Sequence, residues 1–483
     1  MYIAIFVAVL AAAPVNLYVA PTGSDSNSCL NAARPCATVN TAIDKAHKLA
    51  GPYVNAPVTI YVASGSYYTP PYAPDGGSPD PADAMGLIDI EGFNFGPGGS
   101  LAIDCAIQSI SNGLTASVVD GGAVSGYSTQ AWVQFIPPDG GWGNYAVDAG
   151  YSYTDGGLIA TALQGKFLQV TSGSHAGLIY PIKSNDYATI TFVTPSSSSY
   201  KLDATAQFSL YAPASHFYPY PVDGGASTSY SEADLFVAGN SARSTVNQVQ
   251  NAQYYPAQIS VVYCDFADSH SVTVESRDSS LLQLAYGSIE ATASAYGEDI
   301  VTYGAPVAVQ GEVLSGAYTS IVVNNGAFLW LNGSYVTKPA GQYNFVTGTH
   351  SPHIQLRGNT FSTPSMSTTS PAFSGAYGAD LSLLFNDIDT GGAAAAVIAP
   401  SFNSQVYTFF NTFDGDGGAG IFQLNDSSSA FVSLNNYNAS VNLVSLDNGI
   451  SWIATSTFST TDGGAAGYNA ICNVQWGNCI SNK

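Results

Sequence analysis

Positive charge is what this chain of 483 residues has least of: 11 Lys and Arg stand against 33 Asp and Glu, a formal net charge of −22. The basic residues are scattered from Arg34 to Lys483 without a run. Phosphate backbones and anionic membrane surfaces are gripped by clustered Lys and Arg, so neither is expected as a partner. Long apolar runs are also missing. The run Met1 to Ala13 is too short to span a bilayer, and no later segment reaches the length of a transmembrane helix. It ends in small residues as a secretory leader does, although without a basic start, so residues 1–13 are read as a signal peptide and the protein as secreted or on the cell surface. No P-loop, dinucleotide fingerprint, HExxH or GxSxG elbow occurs.

Cysteine is scarce too, at six residues. Cys29/Cys36 and Cys472/Cys479 each bracket six residues of polar, turn-rich sequence near the chain ends, which predicts two local disulfides. Neither pair has CxxC spacing or a nearby His, so zinc is not expected. Cys105 and Cys264 lie in apolar alternating segments, as buried thiols or as one long-range bridge.

What is abundant is apolar, aromatic and turn-forming: 46% hydrophobic, 12% aromatic and 49 Gly, against only 9% charged. That is material for a large all-β core and not for a disordered chain. From Cys264 onward the chain repeats. Segments align on Cys264, Gly287, Glu312, Asn332, Asn359, Asn386, Asn411 and Asn435, with separations of 23, 25, 20, 27, 27, 25 and 24. Residues at −5, −3, −1 and +2 are apolar or small in most of them. A repeat of about 24 residues with period-2 strands cannot bury its apolar face alone and must stack, one turn of a parallel β-helix per repeat. Asn332, Asn359, Asn386, Asn411 and Asn435 then form a ladder at one turn, where Asn tolerates the left-handed conformation and its amide bonds to neighbouring coils. Sequons fall at Asn332, Asn425 and Asn438, of which Asn332 is expected to be buried.

The opening stretch adds a resemblance. Tyr18-Val19-Ala20, Gly23 to Ser28, Pro35, Ala37-Thr38, Ala42-Ile43, Ile60 to Val62 and Gly65 to Tyr67 resemble the start of secreted right-handed parallel β-helix proteins of the pectin-lyase-like superfamily, with Cys29 in place of the usual Gly. The resemblance covers about the first 70 residues and implies that fold, in agreement with the right-handed crossover rule. Thr38 to Leu49 has helical apolar spacing (Val39, Ala42, Ile43, Ala46, Leu49), suited to a helix capping the open end of the stack. Residues 125–240 break the period and alternate between turns, which predicts an inserted antiparallel β module, similar to modules of phage-tail and bacterial surface proteins. The division is thus leader 1–13, cap and first coils 14–124, module 125–240, and main coils with a disulfide-closed end 241–483.

Outward columns of the aligned coils carry the candidate sites. Column −4 reads Phe328, Gln355, Ser382, Tyr407 and Phe431, and column −2 reads Trp330, Arg357, Leu384, Phe409 and Ser433. Phe328, Trp330, Arg357, Tyr407, Phe409 and Phe431 form an aromatic strip too apolar for a plain solvent face. It serves as a sugar-stacking platform, as an interface between copies in a homo-oligomer, or as a surface covered by loops or the module. Asp387, Asp389, Asp414 and Asp416 flank the ladder, with Asp389 and Asp414 in one column on adjacent coils, a spacing that approaches a retaining glycosidase pair. Column −6 sets His353 beside Asp380 as a general-base candidate.

The polygalacturonase-like motifs of the superfamily are absent as a set, and of the basic groups its lyases use only Arg357 has an outward counterpart. The leading expectation is therefore a β-helix that binds a glycan, neutral given the net charge, or a partner through the strip. A polysaccharide-degrading enzyme is the second expectation and a self-assembling tail-spike-like fibre subunit the third. No cofactor is expected, with calcium kept as an alternative that no motif supports. The seven Asp-Gly-Gly turns (Asp75, Asp120, Asp139, Asp155, Asp223, Asp416, Asp462) lack the nonapeptide period of calcium repeats.

Overall fold

The computed structural model describes residues 13–50, 54–68, 86–96, 98–110, 130–134, 163–173, 176–185, 189–193, 207–218, 233–239, 258–269, 272–278, 281–291, 297–339, 344–364, 370–391, 397–414, 422–425, 428–433, 435–437, 444–447, 450–454, 457–459, 465–466, 469–473 and 478–482. Residues 1–12 of the expected leader, the Asp-Gly-Gly turns and Asn438 lie outside them, as do the side chains of Asn425, Cys472 and Cys479.

Three long sheets form a parallel β-solenoid. The first has 12 strands, from Val15–Val19 to Ile450–Ala454; the second has 12, from Gly65–Tyr68 to Ala465–Ala466; the third has 10, from Gly86–Glu91 to Val444–Asp447. Each coil visits first, second and third sheet in turn, as in His353–Arg357, Thr360–Ser362 and Phe373–Ala376. Every strand pairs in parallel with its counterpart one coil away, except the antiparallel Ala465–Ala466 at the end of the second sheet. Alternation decides the faces. Ile354, Leu356, Leu381, Leu383 and Val406 point inward and are buried in one continuous core with Phe361, Ile388 and Phe413 of the second sheet and Phe373 of the third.

The helix Val39–Ala50 closes the N-terminal end, packing on the strands Val15–Val19, Pro57–Val62 and Gly86–Glu91. Val39, Ala42, Ile43 and Ala46 are its buried stripe, while Leu49 is exposed. Thr38 caps it by accepting the Thr41 N–H at 3.2 Å, and Asp25 Oδ1 accepts the Thr38 N–H at 3.0 Å.

The corner between first and second sheets departs from the expected turn chemistry in two ways. The left-handed residue is the one before the ladder position, not the Asn itself: Gly358, Phe385 and Phe410 have φ of 63°, 57° and 55°. The rings of Phe385 and Phe410 at −1 are therefore not in the core, and they stack at 5.0 Å, half-buried. The second departure concerns Asn332, which pairs with Arg357, so the ladder place on its coil belongs to Ser334. The coil spacings along the ladder are then 22, 25, 27, 25 and 24, without the short and long outliers on either side of Asn332. Asn332 is buried, as expected, but its Oδ1 has no partner among the described residues.

From Asn359 upward the ladder is regular. Asn386 Oδ1 accepts both the Asn359 N–H and the Asn359 Nδ2 at 3.0 Å, and the Asn386 Nδ2 donates to Leu356 O and Asn411 Oδ1. Asn411 and Asn435 repeat the pattern. Each amide thus satisfies backbone groups that a two-residue corner leaves inside the core.

The inserted module departs at this same corner. Its six-stranded antiparallel sheet includes Ile107–Ser109, Gln130–Gln134, Phe167–Val170, Ile179–Asn185, Thr189–Val193 and Phe208–Pro213, between Ser100–Cys105 of the first sheet and Ser215–Tyr218 of the second. It therefore begins before residue 125, and Ser215–Tyr218 and Ala233–Ala238 within 125–240 are solenoid strands. The module folds back on the corner: Phe167, Ile179 and Tyr211 pack with Val313 and Tyr335, against Tyr263 and Tyr286. Lys183 reaches Asp387 at 3.3 Å. The bridge Cys105–Cys264 ties the coil that carries the module to the next coil, resolving the two alternatives for those cysteines, and Cys29–Cys36 forms as expected. At the C-terminus the hairpin Asn469–Asn473/Asn478–Asn482 sets Cys472 opposite Cys479.

Several carboxyls are enclosed. Burial, helped by Glu91 and Asp44, pushes Asp89 up to about 6, and burial with Glu275 pushes Glu298 up to about 7. Asp299 and Glu312 are raised well above the usual carboxylate range by burial. Lys338, buried near Asp299, is lowered to about 7. A carboxyl whose folded pKa is raised favours folding fully below its unfolded pKa, and that contribution is lost as pH rises through the folded value. Lys338, with its folded pKa lowered, acts in the opposite sense in a separate window, its cost being relieved as pH rises from about 7 towards the ordinary lysine value of 10.5.

Thermal melts should show stability falling between pH 4.5 and 7, with a smaller fall in Glu298→Gln; a flat or rising profile contradicts the burial of these acids. Asn386→Ala should cost on the order of 3 kcal/mol by chemical denaturation, since it strands several buried groups at once. Asn332→Ala should cost less than half as much, whereas a ladder running through Asn332 requires similar losses.

Candidate functional site: the outward face of the first sheet

The true register rearranges the outward columns. Phe328, His353, Asp380, Gln405 and Ser429 align in one; Trp330, Gln355, Ser382, Tyr407, Phe431 and Trp452 in the next; Asn332, Arg357, Leu384, Phe409 and Ser433 in the third. Trp330 therefore neighbours Gln355, not Arg357. It is only 5% exposed, packed with Leu281, Ala308 and Phe328, so at that coil the outward face is covered. Farther along, Tyr407 is 37% and Phe431 38% exposed, and Phe409 tilts against Phe431 at 5.4 Å. The backbone register continues the column to Trp452, which the sequence alignment stopped short of.

Both edges of this face carry rings as well. At the corner from third to first sheet, two consecutive left-handed residues turn the chain: His350-Ser351 (φ 62° and 61°), Tyr377-Gly378 (56° and 80°) and Phe402-Asn403 (52° and 61°). A left-handed residue swings its side chain out of the coil, and the rings stack, Tyr377 on Phe402 at 4.6 Å and 4° and His350 on Tyr377 at 5.2 Å. Tyr377 is 52% and Phe402 44% exposed. Phe385 and Phe410 form the opposite edge. One coil thus presents Phe402, Tyr407, Phe409 and Phe410 side by side. Sequence reasoning missed the edge rings because it assigned −1 to the core and did not place the third-to-first corner, although the 25-residue spacing of Tyr377 and Phe402 carried the signal.

Polar groups sit among the rings. Tyr407 Oη donates to Gln405 Oε1 at 2.9 Å. His353 Nδ1 lies 3.5 Å from Asp380 Oδ2, both about half-exposed, with the imidazole stacked on Phe328 at 4.6 Å. Arg357 is half-buried in the third column, and its Nε has no hydrogen-bond partner among the described residues.

The candidate acids lie elsewhere. Asp387 and Asp389 are in the second sheet, around the corner from the aromatic face. Asp389 pairs in register with Asp414, as the column reading has it. Asp387 is largely buried against Lys183 of the module, and Asp416 lies outside the described residues. A further pair escaped the sequence reading: His216 Nδ1 is 2.5 Å from Asp265 Oδ2, while Asp265 Oδ1 accepts from Ser288 Oγ. It was hidden because the module separates its first strand from the later repeats. Among the described residues no group of three or more His, Cys, Asp or Glu is placed to hold a metal ion, and no helix is long and apolar enough to cross a membrane.

No protein-family model and no curated protein matches the chain. Among solved structures it is similar to a glycoside hydrolase, at 11% identity over 90% of this chain and 96% of that one, with a TM-score of 0.31. It is also similar to XylC in complex with xylose (10% identity, 92% and 69% covered, TM-score 0.34) and to the Pseudomonas phage phi297 tailspike gp61 (12%, 88% and 70%, TM-score 0.24). At such scores the fold assignment rests on the chain's own strand pairing, which defines a parallel β-solenoid with an inserted antiparallel module.

The face divides sharply in its energetics. Trp330→Ala should cost about 3–5 kcal/mol, the loss typical of a buried large aromatic. Tyr407→Ala should stay within about 0.5 kcal/mol, as for an exposed side chain. Equal losses in denaturant melts would show that the whole strip is covered.

Proposed function

We propose that this protein is an extracellular β-solenoid that binds a neutral glycan through the outward face of its first sheet, centred on the coil 402–410. The observation that carries this reading is that coil's row of four rings, flanked by the exposed His350–Tyr377–Phe402 stack. Sugar rings present C–H faces that pack on aromatic surfaces, and their hydroxyls bond to interspersed Gln, Ser, Asp and Arg. Gln405, Ser382, Asp380 and Arg357 supply those groups. Two disulfides favour an oxidising compartment. A net charge of −22 disfavours an acidic polysaccharide. Binding without cleavage is preferred because the in-register Asp389–Asp414 pair belongs to a different sheet from the rings.

The test is a glycan array with a depolymerisation assay and solution mass on the same sample. Retention of a neutral glycan is expected, about tenfold weaker in Tyr407→Ala and Phe402→Ala at unchanged melting temperature. No new reducing or unsaturated ends should appear. Unaltered retention in both variants, or silence on every glycan together with a defined multimer, overturns the reading.

A further inference from the structure

At the other end of the first sheet's outward face lies an open cleft of about 390 Å³. Tyr18, Tyr61 and Asp104 reach it from three successive strands, in one outward column. The two tyrosine rings stack at 5.5 Å and 22°, and Tyr61 is exposed. A third ring, Tyr263, enters from the left-handed corner position with φ of 64°.

This cleft is built, not incidental. Asp104 directly precedes Cys105, and Tyr263 directly precedes Cys264, so the bridge between those cysteines fixes the carboxyl and the phenol relative to one another across 159 residues of sequence. On the other side, Ala32 and Pro35 come from the short loop closed by Cys29–Cys36. Both described disulfides thus border the same cleft. Its lining contains one carboxyl and no Lys, Arg or His. Burial raises the pKa of Asp104, and that of Tyr263 is raised by burial and by the neighbouring Asp104. A cation held there would offset the cost of that half-buried negative charge.

We infer that this cleft binds a small organic cation, an alkylammonium group packed on the tyrosine faces and paired with Asp104. Ring faces are negative, so a cation within about 6 Å of their centroids is attracted, and a weakly hydrated alkylammonium loses less on leaving water than a metal ion does. A neutral sugar can use the rings but has no charge to set against an uncompensated carboxylate. The same chemistry occurs in a free choline-type molecule and in an amino sugar of a glycan. The inference is independent of the glycan-binding face, which lies many coils away.

The experiment is calorimetric titration of the full chain with choline, glucosamine and, as the neutral control, N-acetylglucosamine. Saturable binding of at least one ammonium is expected, with none of the control. A preference for choline identifies a free alkylammonium ligand and a preference for glucosamine an amino-sugar residue. Asp104→Asn and Tyr61→Leu should each weaken binding about tenfold or more. Tyr61→Leu decides the matter if Asp104→Asn lowers the melting temperature. The inference fails if neither ammonium binds saturably, if N-acetylglucosamine binds equally well, or if Tyr61→Leu binds like the parent.

Discussion

At the corner between first and second sheets each coil must change direction within two residues, one of them left-handed, and this leaves backbone donors and acceptors facing the core with no strand partner. The side-chain amides of Asn359, Asn386, Asn411 and Asn435 supply the missing groups, each donating to a first-sheet carbonyl of the preceding coil and the first three also to the Asn of the next coil. Burying such groups unpaired costs more than the corner could tolerate, so the ladder fixes both the corner and the register of the coils. Ser334 continues the ladder with its hydroxyl, which accepts the Glu312 N–H, whereas beside Glu312, Gly287 and Cys264 the corner is packed against the inserted module or tied by a disulfide.

Register then distributes the surface. The module leaves through this corner and lies back along it, covering Tyr263, Tyr286 and the second-sheet residues Val313 and Tyr335. Beyond its reach, marked by the Lys183–Asp387 contact, the corner carries Phe385 and Phe410 as a half-exposed stack. The first sheet's outward face follows a similar gradient, covered at Trp330 and open at Tyr407 and Phe431. Two distinct surfaces result, an aromatic belt on the later coils and a disulfide-framed acidic cleft on the first ones. Neither depends on the carboxyls of the second sheet.

Much of the fold was legible because solenoid coils repeat a local pattern. The 24-residue period, the capping helix, the inward alternation and the Cys29–Cys36 bridge all follow from spacing and side-chain type. Asn332 misled because it mimics the ladder two residues early, and a shift of two preserves every inward and outward assignment. The pattern of apolar residues cannot detect such a slip; only corner geometry does, since the left-handed residue must precede the ladder place. For the same reason Phe385 and Phe410 passed for core residues. The candidate site was half legible: Tyr407, Phe409 and Phe431 lie where alternation puts them, whereas Tyr377 and Phe402 depend on a paired left-handed turn that periodicity does not encode. The cleft at Asp104 was only partly legible, because the module separates Asp104 from Tyr263 in sequence and a bridge across 159 residues brings them together.

Hydrogen exchange resolved to single amides tests the ladder most directly. The N–H groups of Ser334, Asn359, Asn386 and Asn411 donate to side-chain oxygens of the next coil. They should therefore exchange as slowly as the central strands of the first sheet. Exchange at the rate of solvent-exposed turns would show that the asparagines do not hold the corner, and the register built on them, with the surfaces it creates, would fall with it.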